Sequence, residues 1–282
     1  MPTLTRPGKP AIHYELDDYT DEWKNAPVLI LQHGYGRSSR FWTRWVPYLS
    51  RFYRVVRPDL RGHGQTHVPP GTYSELTVQD FVDDIVDVID AVGGGDTVHY
   101  CGESFAGILG MALAAEHGDR LRTLTLVSAP LTISTSVRSA WNCGYGSLAE
   151  ALEKLGPVEW TRRTNASTRF PPGTDPGLIE WYANEMAKTP VEVLVSFFDL
   201  ICKSSAADFL NRVHTPTLGL YPAGGRITGP EEAAIRRIVA DKGMKYVSFP
   251  TEFHSIQFML PAACATHLLH FIAQHDGIPC RE

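Results

Sequence analysis

Apolar residues along this chain fall into short continuous runs, separated by stretches with a helical rhythm. Pro27 to Gln32 (PVLILQ) is almost wholly apolar and stops at His33-Gly34. A run without alternation predicts a strand buried on both faces, the mark of a parallel sheet. Tyr53 to Arg57 (YRVVR, followed by Pro58-Asp59), Thr97 to Cys101 and Thr123 to Ser128 (TLTLVS) read as further strands. Val78, Phe81, Val82, Ile85, Val88 and Ile89 recur at helical spacing, with Thr77 as N-cap and Gly93-Gly94-Gly95 as the stop. Ile108 to Ala115 lies in a helix that follows the Thr97 to Cys101 strand. After Pro130 the alternation stops. It resumes with a strand at Pro216 to Tyr221 (PTLGLY), a helix at Glu231 to Ala240, a strand at Lys245 to Phe249 and a last helix at Ala262 to Ala273. The interval carries Trp141, Trp160, Trp181, Tyr182, Phe197 and Phe198 on short helices such as Ser147 to Leu155 and Leu178 to Met186. This order predicts an α/β fold with a mostly parallel central sheet and helices on both faces. Residues 1–130 and 214–282 make the core, and residues 131–213 an inserted helical cap.

Composition narrows the partners. With 43% hydrophobic and 20% charged residues, the 282-residue chain has enough apolar material for a large core and too balanced a charge for disorder. A formal charge of -5, with acids and bases interspersed, offers no basic face to a phosphate backbone, so nucleic acid is excluded as a partner. The N-terminal stretch has no apolar core of signal-peptide length and no later stretch approaches a membrane span, so a cytoplasmic location is the default expectation. The 5 cysteines lack CxxC spacing, which predicts reduced thiols rather than a disulfide framework or a zinc site. No cofactor or metal is expected, and the sequence carries no mark of oligomeric state.

The candidate chemistry starts at Gly102-Glu103-Ser104-Phe105-Ala106-Gly107, between a strand and a helix. A serine hydroxyl is a poor nucleophile at neutral pH, so it must be presented on a sharp turn and given a base. Small residues two before and two after the serine relieve crowding in such a turn, here Gly102 and Ala106. Alanine departs from the stricter G-x-S-x-G pattern, and Gly107 supplies part of the clearance. Taken alone, the six-residue string also fits a glycine turn with a solvated serine. The glycine-rich turn His33-Gly34-Tyr35-Gly36, directly after the first buried strand, argues against it. A developing oxyanion needs backbone donors that approach closely, and the Tyr35 and Phe105 N–H groups are the candidates for the oxyanion hole.

Five segments in this order resemble the α/β-hydrolase family: QHGYG at 32–36, PDLRGHGQT at 58–66, GESFAG at 102–107, TPTLGLYPAGG at 215–225 and TEFHSIQFMLP at 251–261. The resemblance spans nearly the whole chain and is to the branch of small capped enzymes that includes enol-lactone hydrolases, C–C bond hydrolases and esterases. It implies Ser104 as nucleophile and, among the 11 histidines, His254 as general base. It also implies that Asp59 and Arg61 brace a loop, and that His63 is a bystander. His99, His267 and His270 read as structural or surface residues.

The triad acid of such enzymes stands after the strand that PTLGLY represents, and the aligned residue is Gly225; the alternative position, near Ser128, holds no carboxylate either. Glu103, Glu231, Glu232 and Glu252 are the nearest carboxylates in sequence, and each requires an unusual path to the far imidazole nitrogen. The expectation is a serine hydrolase, working through a Ser–His dyad on an activated ester, lactone or related carbonyl bond of a small, partly apolar molecule, with an acid contributed from an unanticipated place such as the cap as the alternative to the dyad. Two other readings stay open: cofactor-independent oxygenation or decarboxylation, and a ligand-binding protein on the same fold. Arg162, Arg163 and Arg169 are either solvated or hold a substrate carboxylate.

Overall fold

The apolar runs form the interior of one sheet in the computed structural model, which describes residues 2–241, 243–278 and 280. Among the described residues the strands are β1 (Thr3–Arg6), β2 (Lys9–Asp17), β3 (Val28–Gln32), β4 (Arg54–Pro58), β5 (Val98–Glu103), β6 (Leu121–Val127), β7 (Thr217–Pro222) and β8 (Lys245–Phe249). They lie in the order β1-β2-β4-β3-β5-β6-β7-β8. From β4 to β8 every pairing is parallel. β1 and β2 add an antiparallel edge. Reading for continuous apolar runs overlooks that edge, because β2 (KPAIHYELD) is partly exposed along its length.

Successive side chains of a strand point to opposite faces, and here they feed two separate cores. Ile30 and Tyr100 pack with the residues of α2 (Val78–Gly93) and α3 (Phe105–Glu116), whereas Leu29, Leu31 and Cys101 pack on the other face with Trp42, Trp45 and the last helix. The element order is α1 (Val46–Leu49), α2, α3, α4 (Thr135–Trp141), α5 (Leu148–Thr164), α6 (Pro176–Met186), α7 (Val191–Lys203), α8 (Ala207–Leu210), α9 (Glu232–Asp241), α10 (Ile256–Met259) and α11 (Pro261–Asp276). Thr77 caps α2 as expected: its side chain accepts from Asp80 N while Asp80 accepts from Thr77 N, and Gly94 closes the helix in a left-handed conformation.

Helices α4 to α8 occupy the whole interval between β6 and β7. α5 runs beyond the expected end at Leu155: Gly156-Pro157 kinks it, with Gly156 at φ 72, ψ 159, and the helix then continues to Thr164. A single π-helical turn, Asn165–Arg169, follows. α7 drives Phe197 into the core, where its ring meets those of Phe105 at 5.0 Å, Phe81 at 5.1 Å and His63 at 4.8 Å. No helix among the described residues is long and apolar enough to cross a membrane.

Candidate active site

One residue, Ser104, joins the end of β5 to the start of α3, and it does so at φ 56, ψ -122. An L side chain held there costs about 1–3 kcal/mol. The backbone is pinned on both sides: Ser104 N donates to Val127 O at 2.9 Å, and Gly107 N donates to Ser104 O at 2.9 Å. A Cβ on Gly102 would collide with the Ala106 carbonyl, and one on Gly107 with the Ala129 side chain. The crowding of this turn therefore falls on Gly102 and Gly107, which is why alanine is tolerated at 106. Ser104 stays partly exposed within otherwise buried surroundings.

The loop after β3 comes up against this turn. A Cβ on Gly34 would stand 3.1 Å from Ser104 Cβ. Tyr35 is buried, its hydroxyl donating to Leu194 O of α7 at 2.8 Å, and its ring stacks between Trp141 at 5.5 Å and Phe197 at 6.1 Å. Its own N–H has no hydrogen-bond acceptor among the described residues. Phe105 opens α3, so its N–H lies in the first turn, where helical N–H groups lack intrahelical acceptors.

His254 is 2% exposed and follows β8, on the loop before α10. Backbone bonds fix it: His254 N donates to Thr168 O at 3.0 Å, and Ser128 Oγ donates to His254 O at 2.9 Å. Its Nδ1 is buried without a partner, and its Nε2 lies 3.5 Å from Glu103 Oε1. Glu103 in turn is paired through its other oxygen with Arg37, whose Nε donates to the Tyr182 hydroxyl at 2.8 Å. Both charged side chains are buried, at 3% and 2% exposure. Burial presses Arg37 downward, but the Glu103 carboxylate and Tyr182 outweigh it and raise the guanidinium above its ordinary value.

Glu103 thus lies near the imidazole from the strand end, on its Nε2 side, and does not reach Nδ1. The other three carboxylates are engaged elsewhere. Glu231 accepts from Leu131 N at 2.7 Å, Glu232 from Gly224 N at 2.8 Å, and Glu252 pairs with Arg226 at 2.5 Å. Gly225 has no room for the missing acid, since a Cβ there would sit 2.7 Å from both Pro222 Cγ and Thr228 Oγ1. Gly225→Asp is therefore expected to leave kcat no higher than wild type and to cost about 1–3 kcal/mol of stability through overpacking. Steady-state kinetics and a urea midpoint check both halves, and a gain in kcat contradicts them.

The remaining sequence candidates are structural. Asp59 accepts from Ser39 N at 2.6 Å and Gln65 N at 2.9 Å, and Arg61 pairs with Asp84. His99 is held between Thr123 Oγ1 at 2.8 Å and Asp276 Oδ2 at 2.9 Å. His267 and His270 lie exposed on α11.

Burial first, then the positive charges of Arg37 and Arg169, hold His254 well below the ordinary histidine value of 6.5. Burial likewise lowers His33 to about 4 and His63 to about 3. The unfolded chain takes up these protons near pH 6.5, whereas the folded chain resists until lower pH. Stability is therefore complete above about pH 6.5 and drains away as pH falls through about 4 and about 3. The expected result is a urea midpoint that is flat from pH 8 to 7 and drops steadily below 6; a midpoint unchanged down to pH 4 contradicts it.

A groove of about 700 Å³ opens between α6 and the core, lined by Arg40, Arg44, Pro171, Leu178, Trp181 and Phe258. Neither Ser104 nor His254 lines it. Phe258 packs on Tyr182 at 5.4 Å, so the groove ends one aromatic layer from Arg37.

Residues 27–150 match the family described as alpha/beta hydrolase fold. The chain is 28% identical to 3-oxoadipate enol-lactonase 1 of Acinetobacter baylyi over 208 residues, 73% of this chain and 74% of that one. It is 39% identical to a putative carbamate hydrolase, RutD, of Caulobacter segnis over 103 residues, 36% of this chain and 37% of that protein. Among solved structures, a hydrolase from Pseudomonas aeruginosa superposes with a TM-score of 0.80 at 24% identity, covering 96% of this chain and 97% of the other. The parallel sheet, the strained serine between β5 and α3, and these matches agree: the chain has the α/β-hydrolase fold, and its residues 27–150 are similar to that family.

Proposed function

We propose that this chain is a serine hydrolase acting on an activated ester, lactone or related carbonyl bond of a small, partly apolar molecule. The observation that carries the reading is the backbone of Ser104, held in a costly left-handed conformation next to Glu103, whose carboxylate lies 3.5 Å from the buried His254. In this reading Ser104 Oγ attacks the carbonyl carbon and His254 takes its proton. The Tyr35 and Phe105 N–H groups receive the oxyanion. The resulting imidazolium has Glu103 at its Nε2 side, where the carboxylate offsets the new positive charge. His254 then returns the proton to the leaving group, and water releases the acyl group by the same route.

Among the described residues no acid orients Nδ1, so in this reading the base works as one half of a dyad. A carboxylate in the usual place contributes up to about four orders of magnitude in an optimised triad. Its absence favours substrates whose leaving groups need little help, such as enol esters and lactones. Helices α4 to α8 act as a cap, residues 131–213 over a core of residues 1–130 and 214–282. Their aromatic residues close the space above Tyr35, and the groove along α6 is the approach path. The low pKa of His254 keeps it an unprotonated base at and below neutral pH, so the acid limb of kcat/KM falls below pH 6.5.

The relative from Acinetobacter baylyi is named a lactonase, which agrees with a lactone or enol ester here. A fluorophosphonate probe tests the reading. Labelling of folded protein at Ser104, with turnover of aryl or enol esters, is the expected result. An unlabelled Ser104 together with an untouched ester panel overturns it.

A further inference from the structure

Three arginines of the insertion, Arg162, Arg163 and Arg169, divide cleanly. Arg162 and Arg163 are exposed and paired, with Glu180 at 2.7 Å and Glu159 at 3.0 Å. Arg169 is 1% exposed and has no carboxylate partner among the described residues. Only its Nη1 donates, to Thr164 Oγ1 at 2.6 Å and Asn165 Oδ1 at 3.4 Å. Among the described residues Nε is buried without a partner and Nη2 donates no hydrogen bond. The rest of its surroundings are ring faces: Trp141 at 5.1 Å, Trp160 at 5.9 Å and Tyr182 at 6.0 Å.

Ring faces soften a buried charge but do not cancel it. Arg37 and Glu103 cancel each other, and burial keeps His254 neutral, so among these four groups Arg169 leaves one positive charge uncompensated. The Nε and Nη2 edge, the side of a guanidinium that grips a carboxylate with two parallel bonds, is the edge left free. This guanidinium also stands next to the candidate chemistry. Trp141 contacts both it and Tyr35, and Arg169 O accepts from Ser255 N at 3.3 Å, next to the bond from His254 N to Thr168 O. The π-helical turn that carries Arg169 is thus the turn that holds the His254 loop. Such turns are frequent at functional sites.

We propose that Arg169 is the receptor for a carboxylate carried by the substrate, so that the chain acts on acidic esters or lactones rather than neutral ones. The inference deepens the hydrolase reading by naming a substrate class and rests on it for the chemistry that follows binding. Binding of the acid completes the charge balance. It also fixes the Asn165–Arg169 turn, and through its two carbonyls the loop of the base.

Calorimetry on the full chain with 4-phenylbutanoate and its uncharged primary amide tests this without turnover. The acid is expected to bind at least about tenfold more tightly than the amide, a preference that Arg169→Lys reduces and Arg169→Met abolishes. Equal binding of acid and amide, no binding of the acid, or a preference that survives in Arg169→Met each overturns the proposal. If Arg169→Met does not fold, the acid-to-amide ratio of wild type and of Arg169→Lys decides. A parallel assay compares the mono(4-nitrophenyl) ester of one dicarboxylic acid with its mixed methyl 4-nitrophenyl ester, so that both carry the same activated leaving group. Acid preference in binding with neither ester hydrolysed sinks the hydrolase reading and keeps this one. Hydrolysis of both esters at equal kcat/KM with no acid preference sinks this one alone.

Discussion

Ser104→Ala is expected to lower kcat by about four to six orders of magnitude and to abolish fluorophosphonate labelling. The size follows from the geometry. Ser104 is the residue that the β5–α3 turn thrusts out of the sheet, whereas the other serine at positive φ, Ser128 (φ 49), has its hydroxyl committed to His254 O at 2.9 Å. His254→Gln should cost nearly as much, and the double variant little more than either single one, because nucleophile and base act as one unit. What survives should come from the oxyanion donors and binding alone, since Tyr35 and Phe105 offer backbone groups that neither substitution removes. Fold is expected to persist in both variants, since the backbone bonds of Ser104 and His254 do not involve the altered atoms. Single-turnover kinetics on an enol ester, with far-UV dichroism as a control, give the result. Additive losses in the double variant, or a kcat within tenfold of wild type, contradict it.

The second large effect is expected at Glu103. Its carboxylate pairs with Arg37 in a setting where both side chains are buried, so Glu103→Gln strands a guanidinium. Breaking one side of such a pair costs about 3–5 kcal/mol, whereas removing both charges is often neutral. Glu103→Gln alone should therefore lower the urea midpoint sharply, and Arg37→Met added to it should restore much of the loss. Activity should not follow stability. The double variant still lacks the negative charge 3.5 Å from His254 Nε2, so its kcat should stay about 10- to 100-fold below wild type. A midpoint unchanged in Glu103→Gln, or activity restored along with stability, contradicts this account.

Much of the sheet was legible because inner parallel strands announce themselves as unbroken apolar runs: PVLILQ and TLTLVS fall within a residue or two of β3 and β6. The turn at Ser104 was legible for the same local reason, since its demands for small residues are met within six positions. Tertiary pairing was not. Arg37 and Glu103 are 66 positions apart, and neither carries any local signal that it will meet the other. Arg169 stands in a polar stretch, RRTNASTR, where composition suggests a solvated surface; only the packing of Trp141, Trp160 and Tyr182 removes it from water. Gly156-Pro157 reads as a helix stop, yet packing lets the helix resume beyond the kink. Local chemistry is written locally, and the burial of charge is decided by elements far apart in the chain.

The left-handed backbone at Ser104 also sets two selective pressures against each other. A Ser104→Gly drift would relieve the conformational penalty of an L side chain at φ 56 and stabilise the fold, so a lineage released from catalysis has a downhill route to losing the hydroxyl. A serine at this position is thus a trait that folding alone works to erase, and its presence records a history in which reactivity outweighed stability.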